Sequence, residues 1–260
     1  MKAMIFAAGL GTRLKPMTDT MPKAMVPVAG RPLLAHIISR LVAAGIGEIC
    51  VNVYHFAEQI IDYLESNPVP GASVSVSDER PSGLLETGGG ILAAEPFLAG
   101  EQYHSGNSCP AVGEPILIHN VDILSNLDLR AFVPSIRPED LATLVVSERK
   151  TSRYLLFDDE MILRGWTDVR TGEVRGPASG GDISGYRRLA FSGIHVVSPR
   201  IFDAMRRCGF SGRFPIIDFY LSACATMSVR GYVPDNFAMI DVGKLDALAA
   251  AEQFLKEHLL

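Results

Sequence analysis

The chain has 260 residues, 48% of them hydrophobic, and a formal net charge of −5. A folded chain of this length buries roughly three-quarters of its extended surface, so a full core is within reach. No stretch approaches the ~20 continuous apolar residues of a membrane span, the N-terminal apolar run is too short for a secretory signal, and the acidic balance leaves no nucleic-acid footprint.

The opening Met4 to Ala7 run is short, apolar and closed by Gly9, which predicts a buried first strand. Pro32 to Ala44 predicts a helix, with Leu33, Leu34, Ile37, Ile38 and Leu41 on one face and Gly45 as its stop. A strand follows over Glu48 to Val53, a helix over Ala57 to Leu64 and a strand over Ser73 to Ser77. Thr87 to Glu95 predicts a helix opening after a glycine run, and Pro115 to His119 a buried strand ending at Asn120-Val121-Asp122. Further strands are expected at Ala142 to Val146 and Ala190 to Val197. Helices are expected around Arg200 to Met205, Ile216 to Thr226 and Lys244 to Leu259. Phe97 to Glu114 and Asp168 to Arg188 carry too little periodicity for any element and read as surface excursions. Alternating strands and helices imply an α/β chain, a three-layer α/β/α sandwich around a mostly parallel, Rossmann-like sheet. No linker divides the chain, so residues 1–260 are expected to form a single domain.

The four cysteines (Cys50, Cys109, Cys208, Cys224) have no Cys-x-x-Cys spacing and read as reduced thiols of a cytoplasmic protein. The charge is unevenly spread. From Met1 to Arg31 there are five basic residues (Lys2, Arg13, Lys15, Lys23, Arg31) against Asp19, which suits a cleft for a small polyanion.

The chemistry concentrates in Ala7-Ala8-Gly9-Leu10-Gly11-Thr12-Arg13-Leu14 and the later Pro22-Lys23. The two glycines let the chain turn sharply after a strand, bringing the N–H groups of Ala8, Gly9, Gly11 and Thr12 close to a phosphate-bearing ligand. Arg13 can fork onto two phosphate oxygens, and Lys23 is a movable point charge. A dinucleotide fingerprint would need glycine at Leu14, and a P-loop would need Gly-Lys-Ser/Thr; neither is present. An ordinary glycine turn is the competing reading of Gly-x-Gly taken alone. His36, His55, His119 and His195 share no ligand spacing and read as structural.

With Pro27-Val28-Ala29-Gly30-Arg31-Pro32-Leu33 following, the pattern resembles the sugar nucleotidyltransferases that make UDP-, dTDP- and GDP-sugars. The likeness runs on through Leu85-Glu86-Thr87-Gly88-Gly89-Gly90-Ile91, Asn120-Val121-Asp122, Phe191-Ser192-Gly193-Ile194 and Ile240-Asp241-Val242-Gly243. The Glu-Thr-Gly-Gly-Gly and Phe-Ser-Gly-Ile forms most resemble the short bacterial N-acetylmuramate-1-phosphate uridylyltransferases. Those lack the C-terminal left-handed β-helix domain of longer relatives, and none is expected in this chain, which ends one helix after Asp241.

The resemblance implies an enzyme that joins a nucleoside triphosphate to a sugar 1-phosphate and releases pyrophosphate. It implies Arg13 and Lys23 as catalytic cations, Asp122 and Asp241 as Mg²⁺ ligands, and Gly193 beside the sugar. Gly88 is expected to let backbone approach the base or ribose. Glu79 stands where relatives place a base-reading Gln or Glu; a carboxylate accepts from uracil, thymine or guanine, so UTP, dTTP and GTP stay open. UTP with N-acetylmuramate 1-phosphate is the favoured pair, and a mannose- or heptose-1-phosphate guanylyltransferase the alternative. Arg149, Lys150 and Arg153 form a basic cluster for the sugar side, with Arg153 chosen for the sugar phosphate. Val121 replaces the glycine usual before the first aspartate. Two other classes compete. An inactive nucleotide-sugar-binding regulator is opposed by Arg13, Lys23, Asp122 and Asp241 all being present. A glycosyltransferase would favour an Asp-x-Asp motif, which Asp122 lacks. Monomer and homo-oligomer are equally open.

Overall fold

The computed structural model describes residues 1–99 and 113–258. Its first half alternates strand and helix. β1 (Lys2–Phe6) leads through the glycine loop to a small hairpin, β2 (Pro27–Val28) and β3 (Arg31–Pro32). Then come α1 (Leu33–Ala43), β4 (Glu48–Val53), α2 (Ala57–Ser66), β5 (Ser73–Asp78), α3 (Glu86–Ala93), α4 (Glu95–Leu98), β6 (Ile116–Asn120), β7 (Ile123–Ser125) and α5 (Leu129–Phe132). The second half is richer in strands: β8 (Asp140–Ser147), β9 (Arg153–Phe157), β10 (Leu163–Asp168), β11 (Glu173–Arg175) and β12 (Arg187–Val197). It closes with α6 (Ile201–Arg207), α7 (Ile216–Ala223), β13 (Ser228–Tyr232), β14 (Met239–Asp241) and α8 (Ala247–His258).

The central strands are apolar on both faces because helices cover both. Ala3 and Ile5 of β1 join a core with α1, α2, α5 and α8, while Met4 joins a second core with α3, α4, α6 and α7. That arrangement is the expected three-layer α/β fold. Among the described residues no helix is long and apolar enough to cross a membrane.

The sheet itself is mixed rather than mostly parallel. β1 pairs in parallel with β4 and β6, β4 with β5, and β8 with β13. β12 instead runs antiparallel to β6, β8 and β9, and β9–β10–β11 is an antiparallel meander. The reason lies in the connections: short turns after Phe157 and Asp168 reach only an antiparallel neighbour, whereas a parallel partner needs a crossover. The expected excursion over 168–188 therefore contains β11 and the start of β12. The excursion over 97–114 begins inside α4, and its residues 100–112 lie outside the described residues.

Candidate active site

The carboxyl ends of β1, β4 and β6 open onto a cavity of about 460 Å³, the usual ligand position in an α/β sheet. After Phe6 the chain enters the glycine loop. Gly11 adopts φ 63°, and Thr18 Oγ1 donates to its carbonyl at 2.8 Å, folding the loop back on itself. A Cβ at Gly11 would stand 2.8 Å from Thr18 Cγ2, so only glycine lets the loop close this tightly. Ala8, Gly9, Gly11, Thr12, Arg13 and Lys23 all line the cavity, joined by Glu79 and Asp122.

Lys23 sits in a short 3₁₀ turn and is 9% exposed. Its Nζ donates to Asp122 Oδ2, pairing a buried cation with the aspartate that follows β6 and Val121. Asp241 reaches the same place by another route. β14 runs antiparallel to β7, setting Asp241 opposite Ile123, and Val242 N–H donates to Asp122 O at 2.8 Å. Burial pushes the Asp241 carboxyl above its ordinary range; the like charge of Asp122 adds to that, and Lys23, Arg13 and Arg149 oppose it. Arg13 is packed against this turn: a Cβ at Gly243 would stand 2.8 Å from its Nη2 and 2.6 Å from Asp241 Oδ1. Two cations, two carboxylates and a backbone loop thus converge, a set suited to a polyphosphate and a hard cation.

Glu79 is 1% exposed, and burial raises its carboxyl pKa. Oε1 accepts from Asn52 Nδ2 at 2.6 Å and Oε2 from Leu85 N–H at 2.9 Å. Gly88 does not line the cavity: it is buried, its N–H donates to Phe214 O at 2.9 Å, and a Cβ there would overlap the Phe214 ring. Its lack of a side chain serves the packing of α3 on the segment before α7, while Glu86 and Thr87 face the cavity instead. Gly193, at φ +74°, marks the register shift of β12 against β8, and a Cβ would stand 2.7 Å from Asn120 Nδ2. It makes room for Asn120, which does line the cavity.

Arg153 lies elsewhere, 70% exposed and 3.9 Å from Asp168, on the wall of a second cavity of about 460 Å³. Trp166 and Phe191 also line it, as do Arg149, Arg175 and Asp218. Arg175 stacks over Trp166 at 5.6 Å and pairs with Asp218 at 2.6 Å. Arg149 lines the second cavity and donates to Phe191 O at 3.2 Å, and its positive charge slightly opposes the rise of the Asp241 carboxyl.

Sequence reasoning missed Asn52, whose only signal is a polar amide near the end of an otherwise apolar strand, and gave no role to Asn120, which lies inside the quoted Asn120-Val121-Asp122. It also passed over Thr87 and Gly243, which lie inside quoted motifs. Three of the histidines hold buried places: His36 Nε2 bonds Val28 O at 2.9 Å, and His119 and His195 are each 2% exposed.

The chain has counterparts among known proteins. An N-acetylmuramate α-1-phosphate uridylyltransferase of Caulobacter vibrioides is 33% identical over 268 aligned positions, covering 98% of this chain and 97% of that protein. One from Neisseria meningitidis serogroup B is 33% identical over 220, or 84% of each. The structure of a UDP-glucose pyrophosphorylase from Acinetobacter baumanii superposes with a TM-score of 0.72. It covers 99% of this chain and 94% of its own, and at 18% identity it speaks for the fold. Residues 2–156, which include every residue placed at the first site except Asp241 and Gly243, match the nucleotidyl transferase family, and the chain belongs to that family.

Proposed function

We propose that this chain is a Mg²⁺-dependent sugar-1-phosphate uridylyltransferase of the cytoplasm that uses UTP and N-acetylmuramate 1-phosphate and releases pyrophosphate. The observation that carries the reading is the convergence of Arg13 and Lys23 with Asp122 and Asp241 around one glycine loop.

In the proposed reaction an oxygen of the sugar phosphate attacks the α-phosphorus of the triphosphate. A new P–O bond forms, the bond from the α-phosphorus to the bridging oxygen breaks, and pyrophosphate leaves with that electron pair. The nucleophile is already ionised, so no general base is needed, and catalysis reduces to alignment and charge neutralisation. Arg13 holds the departing β- and γ-phosphates, and Lys23 stabilises charge at the α-phosphate once the nucleotide draws it from Asp122. Ala8, Gly9, Gly11 and Thr12 supply the close backbone. Asp122 and Asp241 would hold Mg²⁺, a hard ion that takes one or two carboxylates plus phosphate oxygens and water; bound there, it supplies charge neutralisation across the phosphates.

Each Glu79 oxygen keeps one lone pair beyond its internal partner, enough to accept from uracil N3–H. For the sugar, the aromatic floor and three arginines of the second cavity suit a ring bearing an extra carboxylate. The similarity to two uridylyltransferases for N-acetylmuramate α-1-phosphate supports the same choice. The three described cysteines are unpaired, in keeping with a reducing compartment.

The test is pyrophosphate release from UTP, dTTP, GTP, CTP and ATP against a panel of sugar 1-phosphates, with and without EDTA. UTP with N-acetylmuramate 1-phosphate should give the highest kcat/KM, at least about tenfold above GTP. A GTP preference would move the chain to the guanylyltransferases, and full activity in EDTA would remove the metal from the mechanism.

A further inference from the structure

Three chain segments meet behind the first cavity: the start of the glycine loop, the end of β4 and the loop that leads into α3. Two buried side chains join them. Asn52, 2% exposed, accepts from Ala7 N–H at 2.7 Å and, at 3.4 Å, from Ala8 N–H. Its Nδ2 donates to Glu79 Oε1, and Glu79 Oε2 accepts from Leu85 N–H. The chain of bonds therefore begins and ends on backbone donors. Between two such ends donors and acceptors alternate when one side chain is an amide and the other a carboxylate. Two amides leave donor facing donor whichever way they flip, and an unmet donor in a buried place costs more than the bond was worth.

The space for this pair is also specific. A Cβ at Gly90 would stand 2.9 Å from Glu79 Oε1 and 3.1 Å from Asn52 Nδ2, so α3 can lie this close only because residue 90 has no side chain.

We infer that Asn52 and Glu79 are a positioning pair that clamps the phosphate-binding loop at Ala7 to the base-side loop at Leu85, so that the grip on the triphosphate and the grip on its base are set together. The clamp rests on the proposed nucleotide site for its kinetic consequence, but its geometry can be read without any ligand. It also predicts that the amide and the carboxylate can trade places. When Asn52→Asp is combined with Glu79→Gln, the carboxylate at position 52 still accepts from Ala7 N–H. The amide at position 79 then donates to that carboxylate, and its oxygen accepts from Leu85 N–H.

Glu79→Gln, the double variant Glu79→Gln with Asn52→Asp, and Gly90→Ala make the test. In the ligand-free protein, amide exchange at Ala7 and Leu85 should quicken about tenfold in Glu79→Gln and in Gly90→Ala, and return to within about threefold of the parent in the double variant. The KM for UTP should rise about tenfold in Glu79→Gln and in Gly90→Ala while the KM for the sugar 1-phosphate stays within about twofold; because position 79 is also the proposed base contact, recovery in the double variant is read from exchange. A double variant no better than Glu79→Gln overturns the proposal, as does altered exchange with both KM values unchanged, which would make the pair structural only. If the double variant does not fold, Gly90→Ala decides alone: parent-like exchange and KM for UTP would overturn the clamp. A parent that releases no pyrophosphate from any triphosphate would sink the functional reading, while the exchange data would still judge the clamp.

Discussion

The two cavities of this molecule are built on opposite principles. The first is walled by short turns at the ends of parallel strands, and its buried ionic groups are already partnered: Lys23 with Asp122, Glu79 with Asn52 and Leu85. The second lies on the antiparallel half and is walled by arginines that are well exposed, Arg153 at 70% and Arg175 at 41%. The family match ends at residue 156, so Trp166, Arg175, Phe191 and Asp218 of the second cavity fall outside it. A preorganised, internally bonded site suits chemistry on a charge that every substrate shares, because its dipoles need no rearrangement at the moment of reaction. Exposed cations on a separate wall suit the choice among substrates, since most of each side chain already lies in solvent and can change at little cost to the core.

The deepest break should come at the aspartates. Asp122→Asn removes both a candidate metal ligand and the partner of buried Lys23, and turnover should drop below detection in pyrophosphate release; measurable turnover above about 1% would remove Asp122 from the metal site. Asp241→Asn should lose Mg²⁺-dependent turnover as well, with partial recovery at excess Mg²⁺, because Lys23 pairs with Asp122 rather than with Asp241.

Next come the cations of the first cavity. Arg13→Ala and Lys23→Ala should each lower kcat by about two orders of magnitude, the ~3 kcal/mol expected of a lost charge-stabilising group. Their melting behaviour should separate them. Arg13 is exposed, so its removal should leave the Tm unchanged, whereas Lys23→Ala strands Asp122 near Asp241 and should lower the Tm until Mg²⁺ is added. Near-normal turnover in either variant would refute its role.

A smaller and more selective effect should follow in the second cavity. Arg149→Ala should reduce kcat/KM for a carboxylate-bearing sugar 1-phosphate about tenfold, and for a neutral sugar 1-phosphate about threefold or less. Equal losses on both would show that Arg149 serves the shared phosphate rather than the choice of sugar.

The mildest test concerns the seam where the parallel and antiparallel halves meet. His119 of β6 and His195 of β12 lie there, and burial drives their pKa values down to about 4 and about 3. In the unfolded chain both would take up protons near pH 6.5, so the folded state loses stability as pH falls from 6.5 towards 4. Denaturant midpoints should therefore fall steadily below pH 6.5, and His195→Phe should make the slope shallower; an unchanged slope would mean that His195 is hydrated in the native protein.

How much of this was legible from residue order follows the same division. β1, α1 and β4 were readable because their apolar periods are clean and a glycine follows each of β1 and α1 closely. The loop chemistry at Gly9, Gly11, Arg13 and Lys23 was readable because its members lie close in sequence. The antiparallel meander was hidden because Glu173-Val174-Arg175 and Leu163-Arg164-Gly165-Trp166 show no alternation strong enough to declare a strand. Asn52 was hidden because its role exists only when the ends of β1, β4 and the Leu85 loop come together. Gly88 was read as making room for a ligand when it makes room for Phe214, a distinction that residue type alone does not carry.

The ribbon formed by β7 and β14 has a consequence for how the protein comes into being. It is the element that seats Asp241 beside Asp122, and its two strands are separated by most of the second half of the chain. Local contacts form early and distant ones late, so a growing polypeptide can complete β1, its glycine loop and the α1 layer while the corner shared by Asp122 and Asp241 is still half built. Synthesis must pass residue 241 and the ribbon must zip before both carboxylates face one another. Catalytic competence is thereby tied to the last stretch of folding, and a prematurely released fragment could grip a triphosphate without the means to spend it.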